Sequence, residues 1–178
     1  MQKRPHEPPM AEPVAYFITW STYGTWLPGD ERGWVEYRHG WKWPDPVRKL
    51  EAAARMTEGA CRLDPEQRAT VQQQIAETCR YRGWTLHAVN CRTNHVHIIV
   101  TAAVPPQIVR SQIKAWCSRK LKRLAESKQQ SDAIRVNWWA ERGSQRFLND
   151  EASLEDAIVY VHDCQDLPLH EKRYQPEA

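Results

Sequence analysis

Three observations predict an α+β fold for this chain of 178 residues. Short β-branched and aromatic runs alternate with longer amphipathic stretches. The segments come in the order strand, helix, strand, strand, helix, strand, helix, and the two middle strands are joined by a tight turn. That order describes a ferredoxin-like β-α-β-β-α-β core with an added C-terminal helix. In such a core, the strands made by positions 14–22 and 94–102 are expected to be adjacent at the centre of the sheet. The length suits one domain that buries a core without staples.

Composition narrows the class. The five cysteines (Cys61, Cys79, Cys91, Cys117 and Cys164) are odd in number, scattered, and contain no Cys-x-x-Cys pair. This argues against a disulfide framework or zinc ribbon and suits reduced thiols in a cytoplasmic protein. No apolar run approaches the ~20 residues of a membrane span. The start, Met1 to Pro9, lacks the apolar stretch of a signal peptide. A net charge of +3 does not by itself demand a polyanionic partner, so the distribution of charge matters more than the sum. The nine tryptophans, several beside Arg or Lys, are as suited to stacking on bases as to filling a core.

Taken in order, residues 1–12 are Pro- and Glu-rich and are expected to be disordered. A single domain then runs over 13–166, and 167–178 form a loose, charged tail. Val14 to Thr22 is β-branched and aromatic throughout and reads as the first strand. Gly24, Pro28, Gly29 and Gly33 force turns after it. Residues 35–63 have no clear period; Trp41, Trp43, Pro44 and Pro46 suggest an ordered, irregular excursion with a short helix from Pro46 to Arg55. A loop of that length in a compact domain is often functional.

Asp64-Pro65-Glu66-Gln67 starts a helix, with Asp at the N-cap and Pro at the first helical position. It runs to about Arg82 with Val71, Ile75, Thr78 and Cys79 on one face, and Gly83 ends it. Trp84 to Cys91 is a strand expected to place Trp84, Leu86, Ala88 and Asn90 on one face. Arg92-Thr93 turns the chain into its hairpin partner. Pro105-Pro106 opens a helix to about residue 125, with Val109, Ile113, Trp116, Lys120 and Leu124 at helical spacing. Its outward side carries Arg110, Lys114, Arg119, Lys122 and Arg123, with an acid only at Glu126. Such a one-signed run is either a solvated face or an anion-binding one, and its single sign through most of the helix favours the anion-binding one. Residues 137–140 and 144–148 read as two short strands around Glu141-Arg142-Gly143. Asp150 or Ser153 caps a last helix over about 152–165.

The chemistry concentrates in two places. In Thr93-Asn94-His95-Val96-His97-Ile98-Ile99-Val100, the two histidines lie two residues apart on a strand and therefore point the same way. They are either a pair of metal ligands or two ordinary histidines on a solvated sheet face. In the last helix, Leu154, Ala157, Ile158, Val161 and Gln165 form one stripe, and Tyr160 lies off it with Asp156, Asp163 and Cys164 as wheel neighbours. Alone, Tyr160 reads as a surface tyrosine. Together the two features describe a metal that polarises a phosphate and a phenol that attacks it. A free tyrosine has a pKa near 10, so the phenol needs help from the metal or from a base such as His162.

Asn94-His95-Val96-His97 resembles the His-hydrophobic-His motif of the HUH-type single-tyrosine transposases. The helix around Ala157-Ile158-Val159-Tyr160-Val161 resembles that family's nucleophile helix, and Trp138-Trp139 with Arg146-Phe147 resembles the region just before it. The opening from Tyr16 to Trp34 resembles the REP-associated tyrosine transposase branch, and the resemblance spans about residues 14–166. It implies a metal-dependent single-strand DNA endonuclease and strand transferase. His95 and His97 would bind Mg²⁺ or Mn²⁺. Tyr160 would form a 5′-phosphotyrosine link and leave a 3′-OH. The implied partner is single-stranded or hairpin DNA, with Arg110, Lys114, Arg119, Lys122, Arg123, Arg142 and Arg146 as the expected DNA contacts and a homodimer as a family expectation. In the family, a Gln or Asn one turn after the tyrosine is the third metal ligand. Here that position is Cys164, a poor ligand for a hard cation, which leaves Asp163 and Gln165 as alternatives.

Other readings compete. Cys117 is a possible thiol nucleophile, though it sits in an apolar stripe. His87, His95, His97 and His162, with Cys91 or Cys164, would make a zinc site. The main alternative keeps the fold but loses cleavage, as a catalytically inactive DNA-hairpin binder.

Overall fold

The computed structural model describes residues 12–36, 39–128 and 134–163. Apart from Glu12, the expected disordered N-terminal tail lies outside these residues, as do Cys164, Gln165 and the expected C-terminal tail. The β-α-β-β-α-β core and its added helix are present. Strand β1 (Ala15–Ser21) is followed by a short hairpin of β2 (Trp34–Glu36) and β3 (Gly40–Lys42), then by α1 (Pro46–Ala54) and α2 (Pro65–Arg82). Next come β4 (Thr85–Cys91), β5 (His95–Thr101), α3 (Pro106–Ser127), β6 (Ser144–Leu148) and α4 (Glu151–Asp163). The main sheet has the order β4-β5-β1-β6 and is antiparallel throughout, so β1 and β5 are the central neighbours as expected.

The helix ends follow from the residues at them. Asp64 and Gln67 form a reciprocal capping box at the start of α2, and Gly83 closes it in the left-handed conformation at φ 68°. Asp150 is the cap of α4: its carboxylate accepts from the Ser153 amide at 2.7 Å and from the Ser153 hydroxyl at 3.0 Å. No helix among the described residues is long and apolar enough to cross a membrane.

Alternation along β5 divides the protein into two layers. Val96, Ile98 and Val100 face α2 and α3, and join Ile18, Trp20, Val71, Ile75, Val109, Ile113, Cys117 and Leu121 in the larger core. Ile99 faces the other way and packs with Ala15, Ala88, Leu148, Ala157 and Val161 beneath α4.

Four expectations change in detail. The strand β4 does not keep one alternation: an irregularity between Leu86 and Ala88 reverses it. Trp84 and Leu86 therefore join the larger core, while Ala88 packs under α4 and Asn90 bonds to it. The buried stripe of α3 is Pro106, Val109, Ile113, Cys117 and Leu121; Trp116 is exposed under the Arg119 guanidinium, 4.7 Å from its ring centroid. Residues 137–140 are not a strand and make one isolated bridge, Thr22 to Trp139. The irregular excursion contains the β2–β3 hairpin as well as the expected helix, and Trp41 lies so close to Gly33 that a Cβ there would stand 2.1 Å from the indole.

Candidate active site

The site is built on the sheet face that α4 covers. His95 and His97 point to it together, with ring centroids 4.6 Å apart. Each imidazole is held at Nδ1. That of His95 lies 2.7 Å from Asn94 Oδ1, and that of His97 lies 2.7 Å from Thr19 Oγ1 on the neighbouring strand. Because the Asn94 side-chain oxygen only accepts, a neutral His95 donates from Nδ1 and carries its lone pair on Nε2. His97 is 8% exposed, so the Thr19 contact meets a polar group that would otherwise be costly to bury.

Tyr160 comes to the same place from α4. Leu154, Ala157, Ile158 and Val161 press that helix onto the sheet, and Tyr160 emerges at the margin of the contact, 39% exposed. Its ring meets Phe17 of β1 edge-on at 6.0 Å and His97 at 6.1 Å between centroids. Phe17 in turn packs on His97 at 5.6 Å. The last turn of α4 is tied down by Asn90, whose amide donates to Val161 O at 2.8 Å. The structure thus brings Tyr160, His95 and His97 together across about 65 residues of sequence, at the place where the stripe of α4 stops.

The other expected site residues are distributed differently. Asp163 is exposed at the end of α4, and among the described residues no three His, Cys, Asp or Glu side chains gather where they would hold a metal. Among the described residues, neither Asp163 nor the histidine zinc set with Cys91 is therefore assembled around the histidine pair; Cys164 and Gln165 lie outside them. His162 is exposed and turned about 200° round the helix from Tyr160, away from a base's position. Cys117 is fully buried, and burial pushes its thiol pKa well up, which removes it as a nucleophile. Two anchored imidazoles fit part of a metal shell. Hard cations such as Mg²⁺ and Mn²⁺ favour oxygen ligands, so oxygen donors would have to complete the shell that the two imidazoles begin.

Of the expected DNA contacts, α3 carries five, and it packs on the opposite face of the sheet from the histidines. Arg119, Lys122 and Arg123 are exposed there. Lys114 and Arg110 are turned inward instead. Lys114 Nζ donates to the carbonyls of Ala140, Arg142 and Glu141 at 2.7, 3.2 and 3.3 Å, and Arg110 donates to Gly143 O at 3.1 Å. Burial, aided by the Arg110 charge, pushes Lys114 down to about 8, while Glu141 opposes the shift. Arg142 is exposed on the turn so held. Arg146 alone of the seven lies on the site's face, because it stands in register opposite Phe17 on β1.

Sequence reasoning did not single out Thr19, Phe17, Asn90 or the side-chain role of Asn94. Thr19 had a signal: it is a polar residue within a strongly apolar strand predicted to lie beside the histidines. It also did not find an open cleft of about 370 Å³ next to Asn94, lined by Thr25, Leu27, Asp30, Arg32, Lys49 and Arg62 among others. The Arg32 hydrogen bond, helped by Lys49, holds the Asp30 carboxyl down at about 2.

No protein-family description and no curated protein matches the chain. Eight solved chains do match it in structure. One is a candidate transposase from Deinococcus radiodurans R1, with 14% identity over 88% of this chain and 92% of that one, at a TM-score of 0.46. Another is a REP-associated tyrosine transposase bound to a REP hairpin, with 12% identity over 90% of this chain and 70% of that one, at a TM-score of 0.49.

Proposed function

We propose that the protein cuts and rejoins single-stranded DNA through Tyr160, as a single-tyrosine transposase acting on hairpin-containing strands. The observation that carries this reading is the meeting of a half-exposed phenol with two anchored histidines on one sheet face. A tyrosine used only for packing gains nothing from an imidazole pair beside it. A nucleophile does, because His95 and His97 would hold a divalent cation, Mg²⁺ or Mn²⁺, and the cation would neutralise the charge of a bound phosphate.

The protein's own part of the reaction is positional. Phe17 holds the ring of Tyr160 edge-on, and Asn90 fixes the turn of α4 that follows it. The phenol oxygen bonds to phosphorus, the bond from phosphorus to the 3′-oxygen breaks, and the phenolic proton balances the new 3′-OH. The product is a 5′-phosphotyrosine, and reversal by a 3′-OH rejoins the strand. Arg146, on the same face, would meet the backbone of the incoming strand, a contact that positions DNA without reading its sequence. A homodimer is part of this reading only by analogy with the family.

A second reading is a hairpin-binding protein that has lost cleavage. It is favoured by the lack of a third metal-binding side chain near the histidines among the described residues. One experiment separates the two. Labelled single-stranded hairpin oligonucleotides are incubated with Mn²⁺ or Mg²⁺ and run on a denaturing gel. The first reading expects a metal-dependent protein–DNA adduct that disappears in Tyr160→Phe and in His97→Ala. Hairpins that shift in a native gel but give no adduct with wild-type protein support the second.

A further inference from the structure

The turn over residues 140–143 is gripped from α3 at every carbonyl. Lys114 takes those of Ala140, Glu141 and Arg142, and Arg110 takes that of Gly143. Trp139 adds to the grip, its indole N–H donating to Lys114 O at 3.2 Å and to Ser118 Oγ at 3.0 Å. Two long cationic side chains that spend their donors on one turn are poorly placed to meet a phosphate, and their ordering costs rotamer entropy. That cost needs a return.

The far side of the turn supplies one. Gly143 lies against β1 so closely that a Cβ would stand 2.3 Å from Thr19 O and 2.9 Å from Trp20 Cβ. Ala140 N donates to Ser21 O at 2.9 Å, and Ser144 pairs with Thr19 in the β1–β6 ladder. Thr19 is thus clamped from one side by the turn. On its other side it pairs with His97, and its hydroxyl lies 2.7 Å from His97 Nδ1.

We infer that Thr19 is the positioning residue for His97, accepting a hydrogen bond from Nδ1–H so that the lone pair sits on Nε2, and that Lys114 and Arg110 serve the site by holding the turn against Thr19 rather than by binding DNA. The inference rests on the reading of His97 as a metal ligand. In the opposite tautomer the proton is on Nε2, which then has no lone pair to give a metal. Outer partners of this kind fix the ring and its tautomer, and their loss typically weakens metal affinity about 10-fold to 100-fold.

The test uses the full chain without metal. Long-range ¹H–¹⁵N correlation spectra report which ring nitrogen of His97 carries the proton. The expected result is Nδ1–H in the wild type, loss of that preference in Thr19→Val, and its return in Thr19→Ser, with backbone amide spectra confirming that each variant is folded. Mn²⁺ titration, read by paramagnetic line broadening, should weaken about 10-fold to 100-fold in Thr19→Val and recover in Thr19→Ser. Lys114→Met should weaken Mn²⁺ binding while leaving the salt dependence of hairpin binding intact, whereas loss of a phosphate contact would reduce that slope by about 1. An Nε2–H tautomer in the wild type overturns the inference, as does a Thr19→Val variant unchanged in both readouts. A wild-type Nδ1–H tautomer that Thr19→Val abolishes, with no Mn²⁺ taken up, supports the positioning role and removes the metal reading instead.

Discussion

On one face of the sheet, Val96, Ile98 and Val100 of β5 are sealed under two long helices. On the other, His95, His97 and Ile99 of the same strand meet a single helix of 13 residues. The larger face is filled by branched and aromatic side chains, whereas the smaller cluster uses Ala15, Ala88 and Ala157 beside Ile99, Leu148 and Val161. Helix α4 rests mainly on β4 and β5 and leaves the β1–β6 side less covered. Incomplete cover lets a phenol be half-exposed, with His97 buried and His95 half-buried at its margin. One strand can therefore provide stability with its even-numbered inward residues and chemistry with its odd-numbered ones.

The largest effect should come from truncating each side of β5 in turn. Ile98 is fully buried, and Ile98→Ala should cost about 2–5 kcal/mol of unfolding free energy, seen as a fall in the urea midpoint. His97→Ala, one residue away, should cost clearly less in the same assay and remove the DNA adduct. A His97→Ala variant as unstable as Ile98→Ala would break the division of labour between the faces.

That division was partly legible in the sequence. The spacing of His95 and His97 requires a shared face, and the apolar stripe of α4 leaves Tyr160 outside it. The local capping signals at Asp64, Gly83 and Asp150 also carry over directly, because they depend on residues within a few positions of one another. What the sequence hid depends on partners far along the chain. The reversal in β4 moves Asn90 under α4, and no alternation read from residues 84–91 alone reveals a bulge. In α3, Trp116 and Leu124 suggest burial, yet Cys117 and Leu121 occupy the sheet side and Arg119 covers the tryptophan outside. The basic residues of α3 looked equivalent in sequence, but burial and nearby carbonyls separate Arg110 and Lys114 from Arg119, Lys122 and Arg123.

A smaller effect probes how α4 is kept over its face. Asn90→Ala removes the 2.8 Å bond to Val161 O and should cost about 0.5–1.5 kcal/mol. The loss should be local. Amide hydrogen exchange should speed up in the turn that carries Tyr160, while α2 and α3 keep their protection. Equal acceleration in all three helices would mean that the two faces unfold as one unit and that α4 is not separately poised.

The smallest effect tests which face the DNA follows. Arg146 stands opposite Phe17, whose ring meets Tyr160, whereas Arg119, Lys122 and Arg123 hang from the far side of the sheet. A phosphate contact removed from either place weakens hairpin binding and reduces the salt slope by about 1, so affinity alone does not tell the faces apart. The rate of adduct formation at saturating DNA does. Once the strand is bound, only contacts that set it relative to the phenol still matter, because proximity and orientation act on the reacting geometry and not on capture. Arg146→Ala should therefore slow adduct formation even at saturation, while Arg123→Ala should leave that rate unchanged. The reverse pattern would place the strand on α3, behind the sheet from the histidines, where Tyr160 has no route to it.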